Sequence, residues 1–202
     1  EHAQVAAEQT RRMTSIIRQL LDFTRRRTPQ LERADLQRVV ARTIDLLGPM
    51  ARGQHVEIAF TAPPAAVWCR IDESQLQQAI ANIVVNGIQA MPRGGTLRVR
   101  VEQASAQPPA SHGGPCGNHP QVVVEDDGAG ITPENLARIF EPFFTTKGIG
   151  EGTGLGLSVA HGIVAEHGGW IDVESVPGHG TRFRVCLPAA DAALPAAPAV
   201  AS

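Results

Sequence analysis

"SQLQQAIANIVVNGIQAM" (residues 74–91) is patterned as a single helix, yet it carries asparagines at positions 82 and 86. Asparagine is a mediocre helix former because its amide competes for nearby backbone groups. Residues four apart lie about 40° from each other around a helix axis, so Asn82 and Asn86 share a face. Leu76, Ile80, Ile83, Val84, Ile88 and Met91 make an apolar face, and Gln75, Gln78, Asn82, Asn86 and Gln89 make a polar one. Taken alone, a mixed polar face reads as solvated, so the stretches on either side have to decide whether it meets water or a ligand. Asp72, followed three residues later by Gln75, resembles a capping box opening this helix.

Upstream, "DLQRVVARTIDLLGPM" repeats Leu36, Val39, Val40, Ile44, Leu47 and Met50 at helical spacing. This helix is expected to stop near Gly48-Pro49. "HVEIAF" and "AVWCRI" alternate as strands around Pro63-Pro64. Downstream, "TLRVRVE", "QVVVED", "WIDVES" and "TRFRVCLP" read as strands, and "LGLSVAHGIVAEHGG" as a helix closed by glycine. Helices and strands mix without strict alternation, which points to an α+β fold rather than a doubly wound parallel sheet. Residues 103–120, "QASAQPPASHGGPCGNHP", have the composition of a floppy hairpin insertion. His112, Cys116 and His119 within it lack a fourth metal ligand, so a solvated loop is the expectation there.

At the chain's start, Val5, Met13, Ile16, Ile17, Leu20, Leu21 and Phe23 outline a long amphipathic helix that enters without a cap and ends at Thr28-Pro29. It reads as part of a longer protein. The segment "AADAALPAAPAVAS" has linker composition. The expected organisation is a helix over residues 1–28, one domain over 29–188 and a flexible Ala/Pro tail over 189–202.

The 202 residues and 43% apolar content suit one good-sized domain with an appendage. A net charge of −2 offers no electrostatic reason for a nucleic-acid or anionic-membrane partner. No apolar run approaches the roughly 20 residues of a membrane span, and no signal peptide is visible. Cys69, Cys116 and Cys186 are scattered and odd in number, which suits a reducing cytoplasm.

Three further stretches carry chemistry. In "VVVEDDGAGI" (residues 122–131) an apolar strand runs into an acidic residue followed by glycines two and four positions on. That places a carboxylate at a strand end, beside backbone a flat ligand can approach closely. In "IFEPFFTTK" (residues 139–147) three of the six phenylalanines crowd five positions, as an anchored hinge for a mobile loop would. "GIGEGTGLGL" (residues 148–157) flows into a helix, where backbone N–H groups and the helix dipole suit phosphate. It is not a Walker loop, because no Gly-Lys-Ser/Thr follows.

In this order and at these separations, the stretches resemble the ATP-binding catalytic domain of sensor histidine kinases, within the superfamily that includes gyrase, Hsp90 and MutL-type ATPases. "NIVVNGIQAM" resembles the asparagine box, "DDGAGI" the first glycine box, "FEPFF" the phenylalanine box and "GTGLGL" the second glycine box. "HGGWIDVESVPGHGTRFRVCLP" resembles the closing strands. The opening helix resembles the second helix of the dimerisation and phosphotransfer hairpin. "NGIQAMPRGG" and "FFTTKGIGEGTGLGL" are most similar to the nitrogen-regulation subclass. The resemblance implies a two-layer α/β sandwich (the Bergerat fold) with a mixed, mainly antiparallel sheet and three main helices, preceded by the long amphipathic helix.

It also implies roles. Asn86 coordinates Mg2+ bridging the ATP phosphates, as suits a hard cation that prefers oxygen ligands, and Asn82 lines the pocket one turn earlier. Asp126 holds the adenine amine, with Gly128, Gly130 and Ile131 against the nucleotide. Residues around Phe140 to Gly152, among them Phe144 and Lys147, form the ATP lid, with Lys147 a phosphate contact, and Thr153 is a further nucleotide-binding residue. Gly154, Leu155, Gly156 and Leu157 start the helix under the phosphates, and Thr181 supports the adenine through water. Asn82 and Lys147 are the implied catalytic residues. Two positions depart from the family: Gly87 stands where alanine is usual, and Gln89 where many relatives carry a basic residue.

The implied activity is transfer of the ATP γ-phosphoryl group to a histidine, for relay to an aspartate of a response regulator. The implied protein is a cytoplasmic homodimer through the N-terminal helix, whatever anchor its parent carries. A gyrase- or MutL-type ATPase is the rival reading. Those enzymes place a glutamate one turn before the magnesium asparagine, to handle the proton of the attacking water. Asn82 occupies that position here. The third reading is a non-catalytic nucleotide-binding and dimerisation module. The seven histidines include none with the acid and nearby proline of the family's phosphoacceptor. This chain is therefore expected to bind Mg-ATP without phosphorylating itself.

Overall fold

A computed structural model describes residues 28–110, 112, 116–147 and 152–190. The N-terminal amphipathic helix and residues 191–202 lie outside the described residues. Eleven elements follow in chain order: β1 (Glu32–Asp35), α1 (Leu36–Gly53), β2 (Val56–Thr61), β3 (Trp68–Ile71), α2 (Glu73–Gln89), β4 (Gly95–Ala106), β5 (Gly117–Asp126), α3 (Pro133–Leu136), α4 (Gly156–Glu166), β6 (Trp170–Ser175) and β7 (Thr181–Cys186).

The main sheet has the order β2-β4-β5-β7-β6. β2 runs parallel to β4, from Val56 opposite Gly95 to Thr61 opposite Arg100, and the remaining pairs are antiparallel. This is the mixed, mainly antiparallel sheet that was expected. β1 and β3 form a separate antiparallel pair, Glu32 opposite Ile71 and Asp35 opposite Trp68. The two strands flanking Pro63-Pro64 therefore belong to different sheets. β1, "ERAD", is too short and polar to show strand periodicity in the sequence.

Alternation along the strands separates two faces. Leu97, Val99, Val101, Val122, Val124, Phe183 and Val185 join the core with Leu76, Ile80, Ile83, Val84 and Ile88 of α2. Helices α1, α2 and α4 supply the second layer: α2 packs on α1 and α4, α1 on β2, and α4 on β6. The other sheet face carries crossed ion pairs, among them Arg98–Asp127 at 2.7 Å, Arg182–Glu125 at 2.9 Å and Arg184–Glu174 at 3.2 Å. Paired charges across neighbouring strands let that face meet water.

Three elements depart from the sequence expectation. Helix α1 does not stop at Gly48-Pro49; it continues through Pro49 to Gly53. Asp45, whose carbonyl loses its intrahelical donor at Pro49, is exposed, and Ala51 beyond the proline is buried. Water can serve the carbonyl while the buried side chain holds the last turn in place. The stretch over residues 103–120 is also more regular than its composition suggests. The β4–β5 ladder extends to Ala106 opposite Gly117, because it continues the core pairs Val99–Val124 and Val101–Val122. Finally, α4 starts at Gly156 rather than Gly154, since Gly154 has a φ of +68° and cannot be helical. At the far end, Ala189 bridges Cys69 and the Ala190 N–H donates to the Trp68 carbonyl at 3.3 Å.

Candidate functional site

Strand alternation sorts the acids of "VEDDG". Glu125 and Asp127 point to the solvent face, where arginines pair with them. Asp126 alone points inward and is 3% exposed. Its Oδ1 accepts the Gly128 N–H at 2.9 Å. Burial pushes its pKa above the ordinary carboxylate value; N–H donors at Gly128 and Thr181 oppose the rise, and the Asp127 and Glu125 charges reinforce it. A buried, inward carboxylate at a strand end is suited to a neutral N–H donor.

The loop after Asp126 is braced on both sides. The Ala129 N–H donates to the Ala90 carbonyl at 3.3 Å, and the Gly178 N–H to the Ala129 carbonyl at 2.7 Å. The Ile131 N–H donates to Ser175 Oγ at 2.8 Å, and Ser175 Oγ donates to the Gly180 carbonyl at 2.9 Å. With its proton committed there, Ser175 accepts from Thr181 Oγ1 at 2.9 Å, which leaves lone pairs on the threonine oxygen. Thr181 is 5% exposed and faces Asp126 across the β5–β7 ladder. Ser175 was not identified from the sequence, since its place opposite Thr181 and beside Ile131 is set by strand pairing.

Helix α2 closes one wall. Asp72 caps it, accepting the Ser74 and Gln75 N–H groups at 3.1 and 3.2 Å. Asn82 and Asn86 are half-buried, between the fully buried Ile83, Val84, Gly87 and Ile88 and the solvent-facing side. A Cβ on Gly87 would stand 2.7 Å from Leu97 Cδ1 and 3.8 Å from Asp126 Oδ2. Glycine at 87 therefore lets the helix approach the sheet end that carries Asp126. Asn82 lies against the start of α4: its Oδ1 is 3.8 Å from where a Cβ on Gly156 would be. Helix α2 thus lies between the buried carboxylate, which Gly87 approaches, and the head of α4, which Asn82 meets.

No side chain caps α4, and its first intrahelical bond is the Val159 N–H to the Leu155 carbonyl at 2.9 Å. The N–H groups of the first turn are left for an anion. Thr153 Oγ1 accepts the Leu155 N–H at 3.4 Å and shapes the approach. Gly154 makes the turn possible: a Cβ there would collide with the Phe143 backbone, whose N–H donates to the Gly154 carbonyl at 3.0 Å. Leu155 is buried, whereas Gly156 and Leu157 are partly covered.

The phenylalanine stretch divides its labour. Ile139 is buried, and Phe140 and Phe144 pack on the core, with Phe140 against His161 and Arg138 over the Phe144 ring. Phe143 is 63% exposed and holds a φ of +67°, an unusual conformation for a bulky residue. Lys147 returns to α2, its Nζ donating to Gln89 Oε1 at 2.6 Å. Residues 148–151 lie outside the described residues. Gly152 passes Thr145 and Lys147 closely enough that a Cβ would meet Thr145 Oγ1 at 2.9 Å.

Asn82, midway along α2, thus meets the head of α4 at Gly156, Lys147 meets the last residue of α2, and Asp126, Gly128–Ile131 and Thr181 gather at the adjoining sheet end. A cavity of about 1040 Å³ lies elsewhere, lined by Gln30, Asp72, Ser158, Gly162 and Glu166 among others, and none of the expected site residues borders it. His112 and His119 do not converge on Cys116. Both rings pack against Trp170, at 5.2 and 4.8 Å, while Cys116 Sγ lies 3.2 Å from Ser105 Oγ. No metal-binding cluster of three or more such side chains occurs among the described residues.

Residues 71–191 match the family described as "Histidine kinase-, DNA gyrase B-, and HSP90-like ATPase". The chain is 35% identical over 187 residues to the sensor histidine kinase ZraS of Klebsiella oxytoca, covering 92% of this chain and 37% of that protein. It is 39% identical over 180 residues to the sensor kinase CckA of Brucella abortus (strain 2308), covering 88% of this chain and 19% of that protein. Among solved structures, full-length ShkA in complex with AMPPNP superposes with a TM-score of 0.73 at 26% identity, over 96% of this chain and 40% of that one. The chain therefore spans well under half the length of these relatives. With the mixed sheet, the three-helix layer and the inward aspartate in place, the chain belongs to the histidine kinase-, DNA gyrase B- and HSP90-like ATPase family, as a histidine kinase ATP-binding domain.

Proposed function

We propose that the chain binds Mg-ATP and presents the γ-phosphoryl group to a histidine on a phosphotransfer helix, for relay to an aspartate of a response regulator. The observation that carries this reading is the placement of α2 between a buried, inward carboxylate at Asp126, beside Gly87, and the uncapped start of α4, beside Asn82. The carboxylate suits the adenine amine and the helix start suits phosphate. Thr181, fixed by Ser175, supports the adenine through water. ShkA, a structure of the same fold, was solved with the ATP analogue AMPPNP.

The residues fit a magnesium ion. Asn86 offers a half-buried amide oxygen on the α2 face between the two ends of the site, and one amide oxygen with phosphates and waters meets the coordination Mg2+ prefers. When bound, the ion would supply positive charge that offsets the negative charge of the phosphates. Asn82 orients groups beside it but cannot accept a proton from water, which separates this site from one that hydrolyses ATP unaided. Pairing through the N-terminal helix, a receiver-domain partner and a cytoplasmic setting belong to the same proposal.

The test is calorimetric titration of the chain with ATP, ADP and GTP, with and without magnesium. ATP and ADP should bind and GTP should not. Equal affinity for ATP and GTP would remove the adenine assignment. Incubation with labelled ATP should leave no acid-labile label on this chain, and adding the phosphotransfer hairpin should restore labelling unless Asn86 is replaced by alanine.

A further inference from the structure

Gln89 is the last residue of α2, three positions after Asn86, a spacing that puts two side chains on neighbouring parts of one helix face. Its Oε1 receives Lys147 Nζ at 2.6 Å, and both side chains are half-buried. The Lys147 N–H is itself held by Thr145 Oγ1 at 3.2 Å. An ammonium on a long, flexible stem is thereby brought to the C-terminal turn of the asparagine helix. The group that Gln89 brings to it is a carboxamide. It accepts a strong, charge-assisted hydrogen bond without cancelling the lysine's charge, which a glutamate at the same position would do.

We infer that Gln89 is a positioning residue: it holds the Lys147 ammonium beside Asn86, so that a cation meets the nucleotide phosphates at a place where α2 itself carries only neutral amides. The inference rests on the nucleotide reading above. It assigns α2 a second role beyond Asn82 and Asn86, and it makes the location of the charge, rather than the element bearing it, the quantity that matters.

The experiment is calorimetric titration of the full 202-residue chain with Mg-ATP and, separately, with adenosine. The variants are Lys147→Gln, Gln89→Ala, Gln89→Glu, the pair Lys147→Gln/Gln89→Ala, and the exchange Lys147→Gln/Gln89→Lys. Loss of one charge-assisted contact predicts about tenfold weaker Mg-ATP binding for Lys147→Gln. Gln89→Ala should weaken it by about threefold, and should add nothing in the Lys147→Gln background. Gln89→Glu should be at least as damaging as Gln89→Ala, because it keeps the contact but neutralises the charge. The exchange variant should recover most of the affinity lost in Lys147→Gln. Adenosine affinity should stay constant throughout, which also reports an intact fold. An unchanged Mg-ATP affinity in Gln89→Ala, additive losses in the Lys147→Gln/Gln89→Ala pair, or no recovery in the exchange variant would each overturn the inference. Failure of the unmodified chain to bind either ligand would instead overturn the nucleotide reading itself.

Discussion

Asp126 is the residue at which stability and the proposed adenine contact pull in opposite directions. Its folded-state pKa is raised, so the native protein binds its proton more readily than the unfolded chain does. The sign follows from linkage: between the ordinary carboxylate pKa of 3.8 and the raised value, the native state holds more protons, and this group's contribution to stability falls as pH rises. At neutral pH the ionised carboxylate is therefore a burden that the ligand-free domain carries. Asp126→Asn should raise the urea midpoint of the free domain at pH 7 and lose that advantage as pH drops toward 4. The same change should weaken ATP binding by at least about 1.5 kcal/mol, the scale of a hydrogen bond to a charged group. A variant that is both less stable and binds ATP unchanged would contradict both halves. The sequence announced the aspartate through its glycines, but its inward direction needed the strand register. Gly87 illustrates the converse: as a helix interior residue it looks like a defect of about 1 kcal/mol, and only the 2.7 Å approach of Leu97 shows why it stands there.

Among the elements, α2 has its start defined twice over. Asp72 accepts from the Ser74 and Gln75 N–H groups and the Ser74 hydroxyl, and also from the Gln30 N–H at 3.2 Å, while its own N–H donates to His167 Nε2 at 3.0 Å. Slight burial tends to raise its pKa, but these donors outweigh it and hold the carboxyl below its usual value. The stabilisation is fully present above the ordinary pKa of 3.8 and is lost as pH falls through the lower folded value. Asp72→Ala should cost about 1 kcal/mol by the general cost of an N-cap, measured by denaturation at pH 7, and the cost should vanish in strong acid. Helix α1 offers the opposite kind of test. Pro49 removes a helical hydrogen bond in an exposed turn, so Pro49→Ala should stabilise the domain by about 2 kcal/mol, the intrinsic proline penalty less its entropic benefit in the unfolded chain. No gain would mean that the turn around Gly48 depends on the proline for its shape.

At the scale of the molecule, the proposed site draws on three separate segments that meet: the end of β5, helix α2 and the head of α4. Nucleotide that bridges them should stabilise all three together. At about a hundred times its dissociation constant, a ligand adds about 2.7 kcal/mol to stability, so Mg-ATP should raise the melting temperature of the domain and Mg-GTP should not. An equal shift with both would indicate binding through phosphates alone.

What the sequence determined by itself was the set of elements and the identity of the groups. Local periodicity is written residue by residue, so α2, α4, β6 and β7 were legible, as were the asparagine and glycine stretches. The capping aspartate was legible too, because a cap is a contact between residues three apart. Long-range partners were not. The separation of β2 from β3, the pairing of β1, the passage of α1 through Pro49 and the extension of the β4–β5 hairpin all depend on which apolar surfaces are covered, and coverage is a property of the packed whole. The bonds from Lys147 to Gln89 and from Ile131 to Ser175 join residues far apart in the chain. Their types were plain in the sequence, but tertiary structure alone decided that they meet, since a hydrogen bond acts over about 3 Å and nothing local measures that distance.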